Sequence, residues 1–250
     1  MGSGSSYDVA ILHWTLVSNL SVIGNEDVGG LAGAAQNLYI LSSSSLLNNV
    51  TASSSNAGGL VGWIRGGAII SDYVEGFRVR SGVGHSGGLV GYSKAISITA
   101  SYARDGYSYA PSGSGGMGGS MEFSSVYYSY VADVEVEGDS STGGLVGATN
   151  VDRANAWDSV YQNIYSSEAW SYQADLRQPT SASGIYANWF NRNNLTGGHL
   201  DLSFSYSCDL NRNLVVDPFE IRDDNRLWDF GTSSEYPVLP CVSRGVEGQR

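Results

Sequence analysis

Gly29-Gly30-Leu31-Ala32-Gly33 is the first of five versions of one short word. The others are Gly58-Gly59-Leu60-Val61-Gly62, Gly87-Gly88-Leu89-Val90-Gly91, Gly115-Gly116-Met117-Gly118-Gly119 and Gly143-Gly144-Leu145-Val146-Gly147. Their central apolar residues are spaced by 29, 29, 28 and 28. Self-similarity at a fixed period of this size is the signature of a stacked repeat, so it is read before any local propensity.

Residues between the words fall into columns. Nine positions after the central residue stand Ile40, Ile69, Ile98 and Val126, and nineteen after it Val50, Val79, Val136 and Ile164. Small residues follow the first column at Ser42, Ser71 and Ala100, and a tyrosine recurs at Tyr73, Tyr102 and Tyr130. Even spacing predicts one inward strand face running through these positions. Short alternating strands with many Gly, Ser and Asn predict an all-β chain: a right-handed β-solenoid, similar to a parallel β-helix, with about 28–29 residues per coil. One coil cannot bury its own apolar face, so like residues stack on like in neighbouring coils. The glycines are expected at a tight bend or positive φ, where stacked backbones also pass too close for a Cβ. Met117 breaks the word and predicts a local irregularity.

The recurring word resembles the GLUG-motif repeat of large secreted bacterial surface proteins, adhesins among them, over roughly residues 20–170. Trp228-Asp229-Phe230-Gly231-Thr232-Ser233-Ser234-Glu235-Tyr236-Pro237-Val238-Leu239 is similar to the segment that closes such repeats. The resemblance implies a bacterial cell-surface or secreted location. It names no ligand.

Composition sets further bounds. Of 250 residues 42% are hydrophobic and 15% charged, with 33 Gly and 16 Tyr, which suits a β-rich extracellular fold and argues against disorder. A formal charge of −11 repels phosphate backbones, so nucleic acid is excluded as an expected partner. No stretch reaches the roughly 18–20 apolar residues of a membrane span. Residues 1–6 read as an added leader, 7–169 as the solenoid and 170–250 as a C-terminal cap containing a short helix; the chain reads as a piece of a longer exported protein. The first coil is expected to be half-formed, with Val9, Ile11, Leu20 and Val22 as its apolar positions and an open strand edge.

Catalytic motifs find little support. Gly82-Val83-Gly84-His85-Ser86-Gly87 and Gly113-Ser114-Gly115-Gly116-Met117-Gly118 imitate a dinucleotide fingerprint, but neither opens a helix. Asp72, Glu75, Asp105, Asp133, Asp152 and Asp158 supply carboxylates without a distinguishing spacing. His13 reads as structural. The expectation is a non-enzyme, with a polysaccharide-degrading β-helix enzyme and a purely structural spacer as alternatives. Tyrosines outside the internal ladder, Tyr107, Tyr109 and Tyr127, are the candidate ligand-binding set, since aromatic faces stack on sugars and hydroxyls bond polar partners.

In the cap, Asp209, Asn211, Asn213, Asp217 and Glu220 place oxygen donors at positions 1, 3, 5, 9 and 12 of a loop, with the Val215 carbonyl at 7. That spacing fits an EF-hand loop around Ca²⁺, and it resembles dockerin and EF-hand loops of extracellular bacterial proteins. Leu214 departs at position 6, where such loops turn on glycine. The same stretch also reads as a helix start, with Asp217 as N-cap and Pro218 at the first helical position. Cys208 and Cys241 are the only cysteines, and in an exported chain they are expected to form a disulfide. The combined expectation is an adhesion module that binds a glycan or protein on a cell surface, beside further modules of its parent protein, with calcium and a disulfide stabilising its end.

Overall fold

The computed structural model describes residues 9–127, 129–139 and 141–148, together with the backbone of three further strands, Asn155–Trp157, Val160–Gln162 and Tyr165–Ser166. These residues form an all-β solenoid of parallel strands, with no helix among them. The proposed cap, including Asp209, Asn211, Asn213, Val215, Asp217, Glu220, Cys208 and Cys241, lies outside the described residues.

Three sheets wrap one core. The first stacks the long strands Ala32–Leu41, Val61–Ile70 and Val90–Thr99 between Ala10–His13 on one side and Gly118–Glu122 on the other. The second takes two short strands from each early coil, such as Tyr73–Glu75 and Arg78–Ser81, and single longer ones from later coils, Tyr102–Ala110 and Tyr130–Gly138. The third is narrow: Val28–Gly29, Ala57–Gly58, His85–Gly87, Gly113–Gly115 and Thr142–Gly143. Each glycine word therefore bridges the third sheet to the first.

Its glycines are required by close approach alone. None in the five words takes left-handed φ, so the expected bend of that kind is absent. Instead a Cβ on Gly29, Gly58, Gly87 or Gly115 would lie 2.7 Å from the backbone nitrogen of Gly62, Gly91, Gly119 or Gly147 in the next coil. Left-handed residues stand elsewhere, in three columns: Asn37, Gly66 (with Gly67 beside it), Ala95 and Phe123; Trp14, Ser42, Ser71 and Ala100; Asn19, Leu47, Gly76, Asp105 and Asp133. Away from glycine this conformation costs on the order of 1–2 kcal/mol per residue. Bonds to the next coil offset it, as in Ser42 N–H to the Ile70 carbonyl at 3.0 Å and Leu47 N–H to the Glu75 carbonyl at 2.8 Å.

These columns correct the single inward strand face. Ser42, Ser71 and Ala100 are buried, but they are corner residues, and Tyr73, Tyr102 and Tyr130 begin strands of a different sheet. The stacking of like on like holds. Ile40, Ile69, Ile98 and Val126 are all buried, and the tyrosine rings stack at 4.9 Å with interplanar angles of 8° and 5°. Stacked pairs of this kind contribute about 0.5–1.5 kcal/mol beyond their area. In the other column Ser108 stands between Val79 and Val136. Its hydroxyl closes a buried triangle with Ser86 and Ser114 at 2.8 and 3.0 Å.

Three further expectations shift. Met117 packs as its leucine counterparts do, and the irregularity falls at Phe123, where the first-sheet strand divides into Gly118–Glu122 and Ser125–Tyr127. The last coil pairs Ser166 with Val136, where the spacing predicts Ile164, which lies outside the described residues; the register has moved from 28 to 30 residues between Gly118↔Val146 and Val126↔Ala156. In the first coil Leu12 and Val22 pack on the core while Val9, Ile11 and Leu20 are exposed, because Leu12 is the residue in register with Ile40.

The 29-to-28 alternation is settled at one corner, between the second and third sheets. There, between positions matched in register, stand residues 25–27, 53–56, 82–85 and 111–113, three or four at a time, His85 and Gly113 already opening their third-sheet strands.

Candidate binding faces

Alternation along Arg78–Ser81 leaves Arg78 and Arg80 exposed and buries Val79 and Ser81. Parallel register then carries the same outward positions through the stack. Asn49, Arg78, Tyr107 and Glu135 form one row, and Thr51, Arg80, Tyr109 and Glu137 the next. Three coils thus present a column of arginines, a column of tyrosines and a column of glutamates side by side.

The columns interlock. The Arg78 and Arg80 guanidinium carbons lie 4.5 and 5.0 Å from the centre of the Tyr107 ring, within range of a cation–π attraction. The Tyr107 hydroxyl donates to Glu137 Oε2 at 2.6 Å. Partial burial and that carboxylate push the Tyr107 hydroxyl above its usual pKa, so it stays a neutral donor. The Tyr109 side chain makes no hydrogen bond or ring contact among the described residues. Tyr107 therefore fixes the arginines, and Tyr109 presents a half-exposed ring beside them.

The three candidate tyrosines do not converge. Tyr107 and Tyr109 share one strand of the second sheet, whereas Tyr127 belongs to the first sheet, in register with Thr99 and Trp157. Sequence reasoning missed Arg78 and Arg80, and read Glu135 and Glu137 only as the charged outer face of a half-buried strand, as the structure has them. The signal for the arginines was available: each sits at odd parity beside a buried residue of the Val79 column.

The acids weighed for catalysis are mostly engaged in structure. Asp72 is wholly buried, and its carboxylate accepts from Ser43 N–H at 2.5 Å and Ile70 N–H at 2.8 Å. It stands in a corner column whose other members are Thr15, Ser43, Ser101 and Ser129, linked coil to coil by N–H to hydroxyl bonds of 3.0–3.1 Å. Burial holds its pKa well above the usual carboxylate value. Glu75 accepts from the Tyr102 hydroxyl at 2.7 Å and pairs with Arg104 at 2.8 Å, while Asp105 lies 3.0 Å from Arg104 Nε. Asp133 occupies a left-handed corner, and Asp152 and Asp158 lie outside the described residues. His13 packs edge-on to Trp14 at 5.3 Å. No group of three or more His, Cys, Asp or Glu side chains placed to hold a metal occurs among the described residues, and no helix there is long and apolar enough to cross a membrane.

No family model, curated protein or solved structure matches the chain.

Proposed function

We propose that the chain is a non-catalytic binding module of a bacterial surface protein, of the GLUG-repeat kind its glycine words resemble, adhering to a glycan or protein on another surface. One observation carries the reading. The Arg78/Arg80, Tyr107/Tyr109 and Glu135/Glu137 columns form an exposed, pre-organised face of guanidinium, phenol and carboxylate groups on rigid strands. Arg and Tyr are the residues that carry most energy at recognition surfaces, because they combine broad contact area with polar tips. Here the Tyr107 contacts already hold Arg78, Arg80 and Glu137, so little entropy of those side chains is lost on binding. A spacer needs no such ordered face.

The same reading places calcium in the loop of Asp209, Asn211, Asn213, Val215, Asp217 and Glu220, and a disulfide between Cys208 and Cys241. Oxygen donors at EF-hand spacing support the first, and the exported location implied by the resemblance supports the second.

The test is binding of the whole chain to a broad array of glycans and surface proteins, with calcium and with EDTA. Specific signals lost in Arg80→Ala and Tyr109→Ala chains support the adhesion face. Silence under both conditions would favour the spacer, and consumption of an arrayed polysaccharide would favour the enzyme.

A further inference from the structure

The first sheet carries a second ordered face, distinct from the arginine–tyrosine columns. Trp63 and Tyr92 pair directly in register on neighbouring long strands, half-buried, and two residues along the same strands stand Arg65 and Lys94. The preceding coil supplies the exposed Gln36 beside Arg65, and the following one supplies Glu122 beside Lys94. Lys94 is neutralised, with Nζ 2.8 Å from Glu122 Oε2. Arg65 is exposed, and its guanidinium makes no ion pair or hydrogen bond among the described residues. In a chain of formal charge −11, a guanidinium without an ion pair, in a row whose carboxylate, Glu122, is already engaged by Lys94, is the feature to explain.

Polar groups frame the rings. Burial and the Glu122 carboxylate raise the Tyr92 hydroxyl far above its usual pKa, so it remains a neutral phenol. His85, from the third sheet, lies 5.8 Å from the Tyr92 ring. It ends a column in which Asn56 Nδ2 donates to Asp27 Oδ1 at 2.8 Å. A carboxylate only accepts, so the Asn56 amide is oriented with its oxygen toward His85, 2.9 Å from Nδ1. An amide oxygen also only accepts; the imidazole proton is therefore on Nδ1, and Nε2 is left as an acceptor. The next position of the column is Gly113, where a Cβ would lie 2.8 Å from His85 Cδ2.

We infer that this face binds an anionic oligosaccharide, with sugar rings against Trp63 and Tyr92, a sugar carboxylate on Arg65, and hydroxyls bonded by Gln36 and His85. Two aromatic side chains in register on strands about 4.8 Å apart offer two successive stations along the solenoid axis for the C–H faces of a sugar chain. A guanidinium matches a carboxylate through two parallel N–H bonds. One unneutralised cation suits one carboxylate. Polyphosphate backbones need many cations and are repelled by the net charge. The inference rests on the binding-module reading and adds to it a second face and a ligand class.

The experiment is calorimetric titration of the whole chain with an aldotetraouronic acid, a neutral trisaccharide bearing a single glucuronate, and with its methyl ester. The acid form should bind, the neutral ester at least tenfold more weakly, and added salt should weaken the acid form. Trp63→Ala and Arg65→Gln should each weaken binding of the acid form at least tenfold, while Tyr109→Ala leaves it unchanged. Melting temperatures within a few degrees of the parent establish that the variants fold. No binding of the acid, equal binding of the ester, or parent-like binding by both face variants overturns the inference. Binding lost only in Tyr109→Ala would overturn it too, yet leave the adhesion reading standing, because the ligand would then sit on the arginine–tyrosine face.

Discussion

Replacing Gly59 with Ala should destabilise the solenoid far more than the loss of one glycine suggests. A Cβ there would collide with the carbonyl oxygen of Gly88 in the next coil, 2.9 Å from Val74 Cγ1 and 3.2 Å from the Gly88 carbonyl carbon. The obstructing atoms are backbone, so relief requires the two coils to separate. The bonds joining them at this point run from Gly59, Leu60 and Val61 N–H to carbonyls of Gly87 and Leu89, at 3.3, 3.0 and 3.0 Å. Separation by roughly 1 Å takes all three beyond hydrogen-bonding distance, at about 1 kcal/mol each. Residual overpacking adds about 1–3 kcal/mol. The expected loss is therefore on the order of 4–6 kcal/mol, or roughly 10–20 °C in melting temperature for a domain of this size. Thermal unfolding followed by circular dichroism measures it. The companion variant is Gly66→Asn, where φ is +71°, Asn37 fills the equivalent position one coil earlier, and the new Cβ meets only the end of the Asn37 side chain at 2.7 Å. It should change stability by less than about 1 kcal/mol, helped by reduced freedom of the unfolded chain. If Gly59→Ala costs under about 1 kcal/mol, or if both variants cost the same, the close-approach account of the glycine word is wrong.

Other expectations follow from single contacts. Tyr102→Ala removes a fully buried ring stacked on both sides and should cost about 3–5 kcal/mol in denaturant unfolding, whereas Tyr102→Phe keeps the ring, loses the bond to Glu75 and should cost about 1–3 kcal/mol. Asp72→Ser restores the residue type of its column. Burial raises the folded pKa of Asp72 above its unfolded value, so its contribution is fully present below the ordinary carboxylate range and declines as pH rises through the raised pKa. The Ser variant should therefore melt higher than the parent at neutral pH, and the gain should vanish on acidification; a gain that grows in acid would refute the sign. Ser108→Ala opens the buried hydroxyl triangle and should cost about 1 kcal/mol by the same unfolding assay. Finally, Asp209→Ala with Glu220→Ala should abolish any calcium-dependent rise in melting temperature, and equal stabilisation of variant and parent would remove the loop assignment.

The stack was legible because period and parity are one-dimensional. The interval between glycine words gave the coil, and the columns through Ile69, Val79 and Tyr102 gave the interior. What the sequence concealed was direction. Ser71 between Ile69 and Tyr73 reads as one more strand residue by even spacing, yet it turns the chain through a left-handed corner whose stabilising bond comes from another coil. Residues as unlike as Leu47, Gly76 and Asp105 share such a corner, so no residue type announces it. The candidate face was half legible for the same reason. Tyrosine abundance pointed to Tyr107 and Tyr109, but their grouping with Arg78, Arg80 and Glu137, and the separation of Tyr127, depend on which sheet each strand joins. Trp63 and Tyr92 could have been found by their shared offset of three residues from Leu60 and Leu89.

The corner that absorbs the unequal coil lengths also makes the rod a display scaffold. Residues 25–27, 53–56, 82–85 and 111–113 vary in number while the strands beyond them hold register, and Ser53, Ser54, Gly82 and Val83 stand exposed there. New loops grafted between residues 53 and 54, or 82 and 83, would emerge from one ridge of the rod a single strand spacing apart. Two short grafts could then form a composite epitope whose separation is set by the backbone rather than by a linker.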